Sequence, residues 1–178
     1  MKTLIVYYSF TQNNEKLANF LQKKLNCDIV PLETVGRRNG FSIFLDLVFN
    51  RRPEIKRVPY YLRDYDHVIF LAPIWAGKIA MPMKSFLINE KGNISDYSFI
   101  TLCGGGNPKQ KENIRNELSD LLERAPLDVV ELWVSKLLLD KKENIKPVSS
   151  FKVNPNEIEN YQSEIENFIR EQLLVSAI

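Results

Sequence analysis

Apolar runs alternate along this chain with stretches of helical periodicity. Five short runs rich in β-branched and aromatic residues predict strands at residues 3–8, 28–32, 67–72, 97–102 and 128–134. Helical spacing predicts helices after residue 14, at residues 41–50 and 81–87, from residue 107 onward, and from residue 154 to near the end. Strands and helices that alternate in this way predict a parallel sheet covered on both faces.

Prolines and asparagines mark several element ends. Asn107 followed by Pro108, and Asn154 followed by Pro155, each predict a helix that begins with an asparagine cap and a first-turn proline. Pro31 in the second strand predicts an edge position or the end of that strand.

Length and composition limit the class of protein. With 178 residues and a 44% hydrophobic share, residues 1–178 are expected to form a single domain with a substantial core. A net charge of +2 gives no indication of nucleic acid or a membrane surface as partner. The first strand begins after Met1 and Lys2, and no apolar run could cross a bilayer, so a cytoplasmic protein is expected. Cys27 and Cys103 form neither a disulfide framework nor a metal motif, and buried, inert thiols are expected.

The first loop places hydroxyl and amide side chains at the start of a helix. It consists of Ser9, Phe10, Thr11, Gln12, Asn13 and Asn14. Unpaired main-chain N–H groups and the helix dipole favour an anion at such a place. The loop is therefore predicted to bind a phosphate group.

Two further loops follow core strands and have the composition of a ligand site. The loop after the third strand consists of Pro73, Ile74, Trp75, Ala76, Gly77 and Lys78. The loop after the fourth strand consists of Cys103, Gly104, Gly105, Gly106 and Asn107. One offers an aromatic ring beside small residues, and the other offers open main-chain groups. Ligands of open α/β sheets bind outside the carboxyl ends of the strands, so the three loops are predicted to form one site.

In these loops the sequence resembles the flavodoxin-like family, which binds flavin mononucleotide (FMN). The phosphate loop of that family commonly reads Ser/Thr-x-Thr-Gly-Asn-Thr, and residues 9–14 stand in its place. The segments at residues 73–77 and 104–106 resemble its second and third flavin loops. The resemblance runs from the first strand to the last helix. It implies a doubly wound, five-stranded parallel sheet of order 2-1-3-4-5 in a three-layer α/β/α arrangement.

The resemblance also implies how FMN would be held. Its phosphate would lie against the side chains and main chain of Ser9, Thr11, Gln12, Asn13 and Asn14. Trp75 would flank the isoalloxazine ring, and the main chain near Ala76 and Gly77 would reach the reducible edge. Residues 103–107 would line the pyrimidine side. Lys78 near the flavin would stabilise the anionic reduced form, although a solvated loop lysine is the favoured interpretation.

Two residues of the first loop depart from the family pattern. Gln12 stands where glycine is usual, and Asn14 stands where threonine is common. Glutamine restricts the backbone more than glycine, so the loop either has an ordinary φ at Gln12 or bears strain. Asn14 retains an amide that could donate to a phosphate.

Rival classes lack their motifs in this chain. Residues 9–14 contain no glycine, which argues against a G-x-G-x-x-G dinucleotide loop, and no glycine-rich loop ends in Lys-Ser/Thr. No aspartate ends the first strand as a receiver domain would require, and no G-x-S-x-G elbow is present. The one histidine, His67, begins a strand, where a structural role is favoured over catalysis. No catalytic residue is assigned.

Three functions remain open. The favoured one is an electron carrier, because the chain is one compact domain without an added substrate element. The second is a reductase in which bound FMN accepts hydride from NADH or NADPH and reduces a quinone or a similar small acceptor. The third is a flavin-free binding module. The expected partner is a redox protein or a small electron acceptor, with neither nucleic acid nor membrane insertion; the oligomeric state is not indicated.

Residues 34–63 form the most unusual segment. Phe41, Phe44, Leu45, Val48 and Phe49 follow helical spacing there. The cations of this segment are Arg37, Arg38, Arg51, Arg52, Lys56, Arg57 and Arg63, against Asp46 and Glu54. One interpretation is a basic docking surface for an acidic partner protein. The favoured one is a helix that covers the sheet and has solvated ends.

Overall fold

Five parallel strands form the central sheet. The computed structural model describes residues 1–36, 39–105, 107–139 and 151–175. The strands are β1 (Thr3–Tyr7), β2 (Asp28–Pro31), β3 (His67–Leu71), β4 (Ile74–Trp75), β5 (Lys78–Ile79), β6 (Asp96–Cys103) and β7 (Val129–Trp133). The helices are α1 (Asn13–Leu25), α2 (Gly40–Phe49), α3 (Met81–Glu90), α4 (Gln110–Leu122), α5 (Val134–Leu139) and α6 (Gln162–Val175). None of the described helices combines the length and hydropathy that a bilayer crossing needs.

The order of the sheet is β2-β1-β3-β6-β7, with all neighbours parallel. Numbered within the sheet, this is the predicted order 2-1-3-4-5. The strand order reverses between β1 and β3, and their side chains are apolar on both faces because both strands are central. Pro31 ends β2 at the edge of the sheet, as predicted.

Two apolar cores lie on opposite faces of the sheet. On one face, Leu4, Val6 and Phe70 pack against residues of α3 and α4. On the other face, Ile5 and Ile69 pack against residues of α1 and α6. The alternation of side chains along each strand therefore fills both layers, and the three-layer arrangement is confirmed.

Several predicted element ends differ from the structure. Asn154 does cap a helical segment, but that segment begins as a 3₁₀ helix (Pro155–Tyr161) and continues into α6. The predicted cap at Asn107 is wrong: α4 begins at Gln110, and Asn107 instead accepts hydrogen bonds from the main-chain N–H groups of Lys109 and Gln110 in a preceding turn. The fifth strand ends one residue early, because Val134 begins α5.

The α2 helix corrects the favoured interpretation of residues 34–63. The helix exists where it was predicted, but Phe41, Phe44, Val48 and Phe49 are exposed instead of packed on the sheet. Helical spacing shows which residues share a side, but it does not show whether that side faces the core. The neighbouring Arg37 and Arg38 lie outside the described residues.

Both cysteines are unreactive thiols in the fold. Cys27 is half-buried and Cys103 is buried, and both are free. Burial, with a smaller contribution from Asp28, raises the pKa of Cys27 to about 11. Burial, with Glu131 nearby, raises the pKa of Cys103 to about 12. Neither forms appreciable thiolate near neutral pH, which confirms the expectation of inert thiols.

His67 lies in the core at the start of β3, opposite Asp96 of β6. Its Nε2 is 3.1 Å from Ser98 Oγ, and the Ser98 hydroxyl donates to Gln172 Oε1 at 2.5 Å. Burial lowers the pKa of His67 to about 4, although the Asp96 carboxylate opposes this shift. The imidazole is therefore neutral and structural at neutral pH.

This burial predicts a pH dependence of stability. Because the pKa of His67 is about 4 when folded and about 6.5 when unfolded, the unfolded chain binds more protons between these values. The free energy of unfolding is thus highest above about pH 6.5 and falls toward pH 4, by as much as about 3 kcal/mol from this group. Urea unfolding of the protein and of His67→Gln at several pH values measures the difference. Parallel pH profiles for the two proteins would contradict the assignment.

Candidate functional site

The three predicted loops meet at the carboxyl edge of the sheet, and Asn14 joins the first loop to the third. The Asn14 side chain is buried, donating to Leu102 O at 3.2 Å and accepting from Leu102 N at 2.9 Å. These two bonds pair the main-chain N–H and C=O groups of Leu102 as a neighbouring strand would. Asn14 can take this place because β3 ends at Leu71, whereas β6 continues to Cys103. The Asn14 amide is consequently committed to the fold.

Aromatic contacts join the first loop to the second. The Trp75 ring meets Tyr8 and Phe10 edge to face, with ring centroids 6.0 and 6.1 Å apart. Trp75 is carried by the β4–β5 hairpin, whose two-residue turn is Ala76-Gly77. The sequence predicted a loop here and missed the hairpin, because two-residue strands leave no periodic signal. The hairpin fixes Trp75 next to the first loop.

Glu117 of α4 supports this hairpin from below. Its carboxylate accepts from Ile79 N at 2.9 Å and from Lys84 Nζ at 2.6 Å. Both charged side chains are largely shielded from solvent. The base of the hairpin is therefore held by a charge-assisted network.

Backbone strain is concentrated in the first two loops. Among the described residues, five other than glycine have positive φ, and three of these, Asn26, Asn50 and Glu123, follow the last residue of a helix. The other two are Gln12, at φ 68°, and Ala76, at φ 49°. Of the two alternatives for Gln12, an ordinary φ or a strained loop, the structure therefore shows the strained loop. Such strain persists only where the surroundings hold the backbone in place.

Ser9 presents a buried hydroxyl just after β1, which ends at Tyr7. Its Oγ is shielded from solvent and has no hydrogen-bond partner within the part of the chain that the structure describes. The following helix also lacks a side-chain cap, since Gln12 precedes α1 without capping it. An orphaned donor beside uncapped helix N–H groups has the chemistry of a phosphate site.

Asn13 has a different role from the one predicted for its side chain. Its amide donates to Phe151 O at 2.8 Å and accepts from Val153 N at 2.9 Å. Lys16 Nζ adds a bond to Val153 O at 2.7 Å. The segment of residues 151–153 is thereby tied to the first turn of α1. Asn13 can offer a ligand only its main-chain N–H while these bonds are made.

The third loop is held from beneath by polar contacts around Cys103. Gln110 donates through Nε2 both to Cys103 Sγ, at 3.4 Å, and to Glu131 Oε1. Gly104 O accepts from Ser135 N at 3.3 Å. These bonds fix the start of the loop, whereas Asn107 at its far end is exposed. Gly106, a predicted site residue, lies outside the described residues.

Trp133 is a residue of this edge that sequence reasoning missed. Gly105 has φ 83°, and a Cβ built on it would lie 2.5 Å from Trp133 Cγ. Only glycine permits this approach, so the ring packs directly on the main chain of the third loop. The available signal was the position of Trp133 at the carboxyl end of the fifth sheet strand, the edge at which all three loops begin.

The structure thus brings most predicted site residues to one edge, although in different roles. Ser9, Gln12, Trp75, Cys103 and Gly105 lie where the three loops join. Lys78 is exposed opposite Trp75 in the hairpin, and no ion pair holds it among the described residues. Burial raises the pKa of Tyr7, and the nearby negative charge of Glu15 adds to this shift.

A doubly wound sheet of this order, with loops of this kind at the reversal of strand order, is the flavodoxin-like α/β fold. A flavoprotein of Lactobacillus acidophilus NCFM, solved in complex with FMN, is similar with a TM-score of 0.63 and 18% identity, over 73% of this chain and 92% of that one. The apo form of a flavoprotein from the same organism has a TM-score of 0.59 and 20% identity, over 80% and 97%. The flavodoxin of Streptococcus pneumoniae TIGR4 has a TM-score of 0.51 and 12% identity over the full length of both chains. No protein-family model and no curated protein matches the sequence.

The strain at Gln12 predicts an unusual effect of glycine. Gln12 is exposed, so Gln12→Gly removes a left-handed side-chain penalty and little packing. We expect the free energy of unfolding to rise by about 1 kcal/mol. Asn19→Gly, at an exposed position within α1, is the matched control and should lower it slightly, by about 0.3 kcal/mol. Urea unfolding measures both, and a loss of stability in Gln12→Gly would contradict the strain.

Proposed function

We propose that this protein binds FMN at the carboxyl edge of its sheet and acts in electron transfer. The observation that carries the proposal is the buried hydroxyl of Ser9, which has no partner among the described residues and lies beside the uncapped start of α1. A buried donor without a partner lowers the stability of a protein unless a ligand accepts its hydrogen bond. A phosphate group meets both needs, because it accepts from the hydroxyl and is favoured by the helix dipole.

The residues of the edge divide between phosphate and ring. Ser9 and Thr11 would bind the phosphate through their hydroxyls, and α1 through its first main-chain N–H groups. Because the side chains of Asn13 and Asn14 form hydrogen bonds within the fold, these residues would contribute only their main-chain N–H groups. Bound FMN supplies one- and two-electron chemistry at its isoalloxazine ring.

The second and third loops would receive the ring. Trp75 presents an aromatic surface braced by two other rings, and the turn at Ala76 and Gly77 presents main chain without bulky side chains. Gly105 keeps the third loop flat against Trp133. These groups would orient the ring and exclude water from it, and the exposed Lys78 would add positive charge nearby. A redox protein or a small electron acceptor would be the partner.

Ser9→Ala gives a direct test of the phosphate site. Because Ser9 Oγ has no partner in the described structure, its removal should leave stability unchanged or raise it slightly. The same change should weaken FMN by about tenfold, the loss of one charge-assisted hydrogen bond, and riboflavin much less. Thr11→Val should likewise weaken FMN more than riboflavin. Quenching of flavin fluorescence during titration measures both affinities.

Ser119→Ala on α4 serves as the control for this test, since Ser119 donates only to Arg115 O within its own helix. It should leave both affinities unchanged. Equal weakening of FMN and riboflavin by Ser9→Ala would remove Ser9 from the phosphate site. Absence of FMN retention by the wild-type protein in equilibrium dialysis at high micromolar concentration would reject flavin binding altogether.

Anaerobic mixing with nicotinamide distinguishes a carrier from a reductase. If the protein is an electron carrier, the oxidised FMN complex should keep its visible absorbance when NADH or NADPH is added, and should lose it on addition of dithionite. Absorbance in a stopped-flow cell measures both reactions. Rapid bleaching by either nicotinamide would replace the carrier with an FMN-dependent reductase.

A further inference from the structure

The α2 helix presents an apolar side to solvent. Phe41, Phe44, Val48 and Phe49, here called the α2 face, are 57% to 70% exposed. With the half-buried Leu45, they follow the spacing i, i+3, i+4, i+7 and i+8 that normally marks the side of a helix packed on a core. Four such side chains on one ten-residue helix are a contiguous patch rather than scattered exposure.

The orientation of the helix is fixed by its own contacts. Ile43 and Asp46 are buried on the opposite side. At the start, Asn39 Oδ1 accepts from Ser42 N at 2.8 Å and Ser42 Oγ accepts from Asn39 N at 3.0 Å, a reciprocal cap. At the end, the main-chain N–H of Asn50 bonds to Asp46 O. The buried side chains of Ile43 and Asp46 show that the α2 face points to solvent, and the hydrogen bonds at both ends hold the helix in its length.

Positive charge is concentrated in the segment of sequence that contains α2. Seven of the 24 Lys and Arg residues fall within residues 34–63, against two of the 22 acidic residues, so the rest of the chain is net acidic. Arg51 and Arg52 follow the helix directly, and both are exposed. Among the described residues, neither forms an ion pair with an acidic side chain. In sequence, Arg37 and Arg38 precede the helix in the same way.

We propose that the α2 face docks the protein on an anionic lipid bilayer. An uncharged, phenylalanine-rich helix surface followed by two exposed arginines is suited to lie in the interface, with rings below the headgroups and the guanidinium groups of Arg51 and Arg52 beside the lipid phosphates. A second copy of the chain fits less well, because pairing two such helices would bring cations against cations. The association is peripheral and does not depend on FMN. The net charge of +2 gave no indication of it, because the cations are concentrated near α2.

Vesicle sedimentation tests this proposal. The chain of 178 residues is mixed with vesicles of phosphatidylcholine alone or of phosphatidylcholine with phosphatidylglycerol. We expect binding to the anionic vesicles at least about tenfold stronger than to the neutral ones, and weaker binding as salt is raised. The double variant Phe44→Ser/Phe49→Ser should lower the partition coefficient by about tenfold or more. Arg51→Gln/Arg52→Gln should lower binding to anionic vesicles selectively.

Matched controls separate the α2 face from general surface effects. Leu127→Ser removes an exposed apolar side chain elsewhere, and Lys23→Gln/Lys24→Gln removes two exposed cations from α1. Both should retain wild-type partition, and circular dichroism confirms that every variant is folded. Failure to bind anionic vesicles, or binding that the α2 variants leave unchanged, would overturn the proposal.

Two other outcomes would assign the α2 face elsewhere. A concentration-dependent dimer that Phe44→Ser/Phe49→Ser abolishes, without vesicle binding, would show a second copy as its occupant. Binding to an acidic polypeptide such as polyglutamate, without vesicle binding, would show an acidic protein partner. Either result would overturn the membrane assignment, and neither bears on the Ser9 test of FMN binding.

Discussion

The bonds between the Asn14 side chain and the main chain of Leu102 hold the candidate site together. Strand β6 continues past the end of β3, so on the β3 side its last residues face a position that no strand of the described residues occupies. Asn14 fills that position and, in doing so, fixes the start of α1 against the start of the third loop. The left-handed backbone at Gln12 is tolerated because the residues after it are pinned in this way. Loop geometry, helix position and sheet edge thus depend on one buried amide.

The same constraint explains why a loop that departs from the flavodoxin-like pattern can keep its shape. Glycine would adopt the backbone conformation of Gln12 without cost, whereas here tertiary contacts hold it. The cost to the site is that two asparagine side chains become structural, which leaves hydroxyls and main-chain N–H groups for a ligand. Trp75, braced by Tyr8 and Phe10, completes a surface whose parts come from separate strands.

The sheet order and the convergence of three loops could be predicted, because apolar runs, helical spacing and the known edge preference of ligands are local or general signals. The partners of Asn13 and Asn14 could not, since an amide bonded to distant main chain leaves no mark in the sequence around it. Trp133 was missed because its significance depends on Gly105, which is far away in sequence. The outward side of α2 was predicted wrongly because spacing alone does not distinguish a side packed on the core from one exposed to solvent. The β4–β5 hairpin is too short to show any period.

The bonds from Asn13 to Phe151 and Val153 connect residues 138 and 140 positions apart. During translation, the first loop and α1 leave the ribosome more than a hundred residues before the segment that fastens them. Parallel strands and contacts of such long separation form slowly, after the intervening chain has collapsed. A nascent chain that ends before Val153 would therefore carry every predicted phosphate ligand and still lack the closed edge. Ribosome-bound intermediates are thus expected to close this edge only after residues 151–153 have emerged.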